Sequence, residues 1–160
     1  MDQKALFLRF WEKEAPATRN VISRIPEGSD YRPDPKARTA REIAWLIVRE
    51  EVVLGAGFEK GALDWAELPT PNTVAEILQV YDRHHDLVTN HMRGAAVSRW
   101  EGQLPFRFDG ADVYSASGYD QAWGFLFDII HHRGQISTYL RPMGSTVPQI
   151  YGPTADEPSM

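Results

Sequence analysis

The amino-acid sequence predicts an all-α protein, specifically a four-helix bundle with long inter-helix connections. Four segments place apolar residues every three or four positions, which is typical of helices that bury one face. Two of these segments open with a capping box, in which a threonine is followed three residues later by a glutamate. No segment shows the sustained alternation of polar and apolar residues that would indicate a large sheet.

The first helix is predicted to begin after Asp2, whose carboxylate can accept a hydrogen bond from the first turn. Pro16 lies in the middle of this segment and predicts either a kink or a division into two helices. Pro26 is expected to end the helix, and residues 27–38 form a loop rich in proline, aspartate and glycine.

The second helix is predicted to begin at the capping box Thr39–Glu42 and to extend to about Leu54, where Gly55 and Gly57 end it. Its apolar residues cover two sides, so one side can pack in the core and the other against a partner molecule. The inward side comprises Ile43, Leu46, Ile47, Val53 and Leu54, and the second side comprises Trp45, Val48 and Val52. The sequence therefore predicts a homodimer that associates through helix faces.

The third helix is predicted from a second capping box, Thr73–Glu76, to about Met92 or Ala96. After it, Asp109-Gly110 lies between two short apolar runs, a pattern that is compatible with a small β-hairpin. The fourth helix is predicted over Tyr119–Leu140, which contains no proline, and residues 143–160 form an irregular tail.

Length and composition narrow the functional classes. A chain of 160 residues is expected to form a single domain, residues 1–160. The net charge of −5 and the lack of a basic cluster argue against nucleic acid as a partner. The charged N-terminus and the lack of a long apolar run argue against a signal peptide and a membrane span, so a cytoplasmic location is expected. The absence of cysteine excludes disulfides, zinc–thiolate sites and a cysteine nucleophile.

A polar stripe lies along the otherwise apolar fourth helix. Asp128, His132, Gln135 and Tyr139 are spaced four, three and four residues apart, so they share one helical face. Glu50 lies within the inward apolar side of the second helix. Buried polar groups need partners, which here would be a metal ion, another side chain or water at an exposed edge. We therefore expect Glu50, Asp128 and His132 to converge between the second and fourth helices.

The end of the sequence carries a recognisable motif. It consists of His132-Arg133-Gly134-Gln135, followed by Tyr139-Leu140-Arg141, Gly144, Val147-Pro148 and Tyr151-Gly152-Pro153. This motif resembles the last helix and tail of the DinB-like (DinB/YfiT) superfamily, and Thr39–Glu51 resembles its second helix. The resemblance implies a four-helix bundle, commonly dimeric, in which three histidines hold a divalent metal ion. Characterised relatives are transferases or isomerases that use a small thiol such as mycothiol or bacillithiol.

The resemblance places the three metal-ligand positions at residues 46, 128 and 132 of this chain. Only His132 is a histidine, whereas the other two positions hold Leu46 and Asp128. Asp128 is still a competent ligand, and Glu50, one turn after Leu46, can replace the missing imidazole. The expected centre is therefore Glu50, Asp128 and His132 with zinc, nickel, manganese or iron, or a degenerate site that holds no metal.

Other interpretations of the same residues stay open. Asp128 and His132 can form a hydrogen-bonded pair without a metal, and Glu50 can pair with an arginine. His131 points away from His132 and is expected at the surface or an interface, while His85 is expected to be a satisfied core histidine. The sequence assigns no role to His84 and His91, the two remaining histidines. In the tail motif, Arg133 is expected to brace helix ends or carboxylates, and Gly134 to allow close helix approach.

Two function classes follow from the sequence. One is a metal-dependent enzyme of the thiol-transferase type, whose thiol must be a separate small molecule because the chain has no cysteine. The alternative is a non-catalytic dimeric binding module that has kept the helical fold and lost the metal. No residue is assigned a catalytic role, and neither the substrate nor the thiol is specified by the sequence.

Overall fold

Four long helices and a small three-stranded sheet make up the part of the chain that the computed structural model describes, residues 2–159. In chain order the elements are α1 (Gln3–Ser23), α2 (Ala40–Lys60), β1 (Leu63–Trp65), α3 (Val74–Gly94), α4 (Val97–Glu101), β2 (Gln103–Phe108), β3 (Ala111–Ser117) and α5 (Gly118–Leu140). Among the long helices, α2 packs against α3 and α5, and α1 packs against the same two. The fold is mostly helical, and its helices supply most of the buried apolar core.

The sheet departs from the all-α prediction. Strands β2 and β3 form an antiparallel hairpin, which confirms the turn predicted at Asp109-Gly110. Both turn residues have positive φ, 47° at Asp109 and 82° at Gly110, as a two-residue type I′ connection requires. Strand β1 adds to the other edge of β2 in parallel, with Leu63 beside Phe106. A strand of three residues is too short to show an alternation in the sequence, so β1 was not predicted.

Helix α2 continues past its predicted end and stops at Gly61, which has a φ of 97°. Gly55 and Gly57 are helical residues that allow neighbouring elements to approach closely. A Cβ atom at Gly55 would lie 2.7 Å from Val88 Cγ2, and one at Gly57 would lie 2.3 Å from Leu63 Cδ2. The predicted end of α2 is therefore wrong because these glycines serve packing and not helix termination.

The helix starts follow the predicted capping chemistry. Asp2 accepts a hydrogen bond from the Ala5 amide at 2.8 Å, and both capping boxes are present, at Thr39 and Thr73. Helix α1 runs through Pro16 as one element, so the division into two helices is wrong, and it ends before Pro26, at Ser23.

Helix α5 is fixed to α1 and to the tail by a buried arginine. Arg133 is 1% exposed and forms an ion pair with Glu14 at 2.8 Å. It also donates to the Tyr151 hydroxyl at 2.6 Å, and that hydroxyl donates to Glu14 at 2.8 Å. This network confirms the expected bracing role of Arg133. It fixes the position of α5 against α1 and the tail. The expectation for Gly134 is wrong, since a Cβ atom there would meet nothing within 4 Å.

None of the helices within residues 2–159 is both long enough and apolar enough to cross a membrane.

Candidate metal centre

Three side chains from α2 and α5 meet at one point. His132 Nε2 lies 3.5 Å from Glu50 Oε1 and 3.5 Å from Asp128 Oδ1. One potential ligand atom from each of the three residues lies within 4.8 Å of the other two. Asp128 and His132 share a face because they are one turn apart on α5, and Glu50 approaches from the facing helix α2. The structure thus brings the three residues together as the helical spacing predicted.

Glu50 is the buried member of the cluster and lacks a full set of partners. The residue is 4% exposed, and its Oε2 atom is buried with no hydrogen-bond partner among residues 2–159. Burial raises the pKa of the Glu50 carboxyl from 4.5 to about 7, and this effect outweighs the opposing influence of His132. The neighbouring Asp128 carboxylate raises the pKa further through like-charge repulsion. A buried carboxylate oxygen without a hydrogen-bond partner can bind a proton or a cation.

His132 is held in one orientation by a second polar contact on α5. Its Nδ1 lies 3.0 Å from Gln135 Oε1, so Nδ1–H donates to the amide oxygen and Nε2 faces the two carboxylates. The Gln135 amide nitrogen lies 3.2 Å from His131 Nε2 and donates to it. The adjoining Glu50 carboxylate raises the pKa of His132 to about 8. Without a cation at the cluster, Glu50 and His132 therefore hold at least one proton between them at neutral pH.

The donor set fits a divalent cation. One imidazole and two carboxylates are competent ligands for zinc, manganese or iron. Atoms bound to one such ion at about 2.1 Å lie about 3.0–3.5 Å from one another, and two of the three separations at the cluster are 3.5 Å. Asp128 is the exposed member, with a side chain that is 55% exposed, so the cluster opens on one side toward solvent.

The cluster lines a pocket of about 1010 Å³ between α2, α5 and one face of the sheet. Strand pairing places Trp65 beside Phe108, and Phe106 beside Tyr114, so aromatic side chains from all three strands cover this face. The aromatic lining residues are Trp65, Phe106, Phe108, Tyr114, Phe125 and Phe127. Sequence analysis missed this wall. The available signal was the alternation of Leu104, Phe106 and Phe108 directly before the predicted turn.

The other histidines lie apart from the cluster or only at its edge. His131 is exposed and lines the pocket rim. His85 Nδ1 lies 2.9 Å from the buried Glu51 carboxylate, and its ring stacks on Trp11 and Tyr81, so it is a satisfied histidine of the interior. His91 lies 3.9 Å from Glu59, away from the pocket.

Leu46 lies where the DinB-like resemblance implies a histidine ligand. Its apolar side chain lines the pocket one turn before Glu50 on α2. Glu50, one turn later on the same helix, is the α2 residue that meets Asp128 and His132.

Two comparisons with known proteins point to DinB-like proteins, one through the sequence of the last helix and tail and one through the fold. A model of the DinB family matches residues 128–159, which span the end of α5 and the tail. The uncharacterized protein YrdA of Bacillus subtilis is 28% identical over 163 residues, which cover 94% of this chain and 89% of YrdA. A crystal structure of a DinB-like protein from Bacillus cereus superposes with a TM-score of 0.72 at 20% identity and covers 91% of this chain and 95% of that one. The DinB-like protein YjoA from B. subtilis gives a TM-score of 0.71 at 14% identity, with coverages of 91% and 97%.

Proposed function

This chain is DinB-like in the sequence of its last helix and tail and in its fold, and we propose that it is a divalent-metal-dependent enzyme of the thiol-transferase type. In this proposal Glu50, Asp128 and His132 hold the metal ion. The adjacent pocket takes the substrate and a small thiol, because the chain has no cysteine of its own.

One observation carries the proposal. Glu50, Asp128 and His132 are the only group of three or more ligand-type side chains at such short mutual distances among residues 2–159, and they line the pocket of about 1010 Å³. A structural ion pair would be expected to satisfy the buried carboxylate, yet Glu50 Oε2 has no partner.

The side chains around the centre have distinct roles in this proposal. A bound divalent ion with an open position supplies Lewis acidity, which lowers the pKa of a thiol or water at the centre. Gln135 fixes the tautomer of His132 and so directs Nε2 toward the carboxylates. Glu50 provides a buried negative charge, and Asp128 provides a second one at the solvent side. The aromatic wall of the sheet excludes water from the substrate side of the pocket.

A second candidate function is favoured by Leu46. An apolar side chain at a family ligand position is the substitution expected if the chain is a binding module that no longer holds a metal. In that case the pocket binds a small molecule without chemistry, and Asp128 and His132 form an i, i+4 pair.

Metal analysis separates the two candidates. Protein purified without a His-tag or chelator should contain close to one equivalent of zinc, manganese or iron by elemental mass spectrometry. Asp128→Asn should lose that metal, since an amide is a far weaker ligand than a carboxylate. Asp120→Asn is the matched control, because Asp120 lines the same pocket on the same helix but lies outside the cluster.

Isothermal titration of the metal-free protein with Zn²⁺ and Mn²⁺ completes the test. The wild type and Asp120→Asn should bind alike, and Asp128→Asn should bind at least tenfold more weakly. Wild-type protein that contains no metal and binds neither ion would refute the enzyme proposal and support the binding module.

A further inference from the structure

We propose that the ligand of this pocket is a flat, apolar small molecule that carries one anionic group, and that Arg38 binds this group. The inference deepens the proposed function and rests on it in one respect, namely that the ligand is the substrate of the metal centre. The pocket's aromatic wall would hold the body of the molecule, and the guanidinium of Arg38 would hold its charged end.

The aromatic wall is suited to a flat molecule. Phe106 and Tyr114 stack with ring centroids 5.3 Å apart, and Trp65 is fixed by the Arg49 guanidinium, which lies 4.2 Å from its ring centre. Phe108 and Tyr114 are 42% and 51% exposed, although they face a pocket of drug-like volume. Exposed aromatic rings of this kind are covered when an apolar ligand binds.

Arg38 is the charged group that remains without a partner. It lines both the large pocket and an adjoining cavity of about 260 Å³. The acids of that cavity, Glu42 and Glu67, lie within 4 Å of other arginines, Arg32 at 3.9 Å and Arg49 at 3.3 Å. Within residues 2–159, Arg38 itself forms no ion pair. A guanidinium that is not neutralised at the edge of an apolar pocket favours a carboxylate, sulfonate or phosphate.

Two further features support an anion at this end of the pocket. Arg38 directly precedes Thr39, the buried N-cap of α2, so its backbone is anchored by the capping box. Trp45 lines the same adjoining cavity, and its indole N–H is buried with no acceptor among residues 2–159. The Trp45 indole is therefore a second donor beside this cavity that residues 2–159 leave unused.

The acidic residues of the pocket do not cancel Arg38. Glu50 and Asp128 belong to the cluster, where a metal ion would neutralise them. Asp120 accepts a hydrogen bond from Ser117 at 2.7 Å in the first turn of α5, where the helix dipole favours a negative charge. The pocket therefore has its unpaired positive group at one side and its metal-binding group at another.

The test uses two fluorescent probes that differ by one charged group. 8-Anilinonaphthalene-1-sulfonate is a flat apolar anion, and N-phenyl-1-naphthylamine is the same molecule without the sulfonate. Wild-type protein should bind the anionic probe more tightly than the neutral one. Arg38→Gln should lower the affinity for the anionic probe about three- to tenfold and change the affinity for the neutral probe by no more than about twofold. Lys36→Gln is the matched control, because it removes one positive charge from the same loop, outside both cavities.

Two more variants separate this inference from the metal proposal. Phe108→Ala should weaken both probes, since the aromatic wall contacts the part that they share. A Glu50→Gln and Asp128→Asn double variant, measured in EDTA, should keep the preference for the anionic probe even if the protein binds no metal. The inference is overturned if Arg38→Gln and Lys36→Gln behave alike, or if EDTA alone abolishes the preference, since the sulfonate would then bind the metal and not Arg38.

Discussion

Glu50→Gln should make the stability of the metal-free protein much less dependent on pH. The Glu50 carboxyl has a pKa of about 7 in the folded protein, against 4.5 as its ordinary value, chiefly because it is buried. The folded state therefore holds this proton more tightly than the unfolded state. This contribution to stability is fully present below pH 4.5 and is lost as the pH rises through about 7. The change in pKa corresponds to about 3 kcal/mol in the free energy of unfolding. About 2–3 kcal/mol of this is lost between pH 5 and pH 8.5.

His132 acts in the same direction. The carboxylate of Glu50 raises the pKa of His132 to about 8, so the two groups titrate as a pair; the stabilisation from His132 is lost as the pH rises through about 8 and is not added to the figure for Glu50. Glu50→Gln removes the cause of that shift together with the buried carboxyl group. Glu51, whose pKa is also raised by burial, remains in both proteins, so its contribution cancels in the comparison.

The measurement is urea unfolding in EDTA at pH 5 and pH 8.5. Between pH 5 and pH 8.5, the free energy of unfolding should fall by at least about 2 kcal/mol more for the wild type than for Glu50→Gln. Glu59→Gln, which removes an exposed carboxylate near the end of the same helix, should follow the wild type. A divalent ion at one hundred times its Kd should restore about 2.7 kcal/mol at pH 8.5 to the wild type alone. Parallel pH profiles for the wild type and Glu50→Gln would show that Glu50 is not desolvated as the structure indicates.

Three other predictions concern the ligand set, the assembly and the glycines. The double change Leu46→His and Asp128→His should create a three-histidine site and raise the affinity for Zn²⁺ and Ni²⁺ in calorimetric titrations; unchanged affinity would mean that the family positions are misassigned. The protein should sediment as a homodimer at micromolar concentration through Trp45 and Val52, which are half-buried on α2, whereas Val48 of the same predicted side is buried within the protomer; a single 18.2 kDa species would contradict the dimer. Gly134→Ala, at an open helical position, should stabilise the protein by about 0.5–1 kcal/mol. Gly55→Ala should destabilise it by about 1–3 kcal/mol, because the new Cβ meets the backbone and side chain of Val88; equal effects of the two glycine changes in urea unfolding would refute this account.

Local patterns in the sequence were sufficient for the four long helices, apart from the end of α2, and for the cluster. The capping boxes are formed within four consecutive residues, so Thr39 and Thr73 specify helix starts without help from tertiary structure. The convergence of Glu50 with His132 followed from helical periodicity, because each lies on the face that its helix turns toward the other.

The sheet and the pocket depend on contacts between distant segments. Strand β1 exists because Leu63–Trp65 pairs with Phe106–Phe108, more than forty residues later in the chain. The same separation explains Gly57, which is needed inside α2 because Leu63 folds back onto it, a contact that no local pattern indicates. Arg38 likewise lies in a loop without periodicity, and its position at the pocket follows only from where the sheet packs.

The cluster is costly to the protein unless a cation occupies it. A buried carboxylate with an unpartnered oxygen is unfavourable, as the raised pKa of Glu50 indicates, and Asp128 adds like-charge repulsion. A protein that needed only rigid packing between α2 and α5 would be more stable with apolar side chains at these positions, in continuity with the aromatic wall. A divalent ion would offset these costs, because it would neutralise both carboxylates and replace the proton on His132 Nε2, which Gln135 directs toward the carboxylates. Asp128 stands at a position where the DinB-like resemblance implies a histidine, and Glu50 lies one turn after Leu46, so such a centre would prefer harder ions such as manganese or iron over nickel.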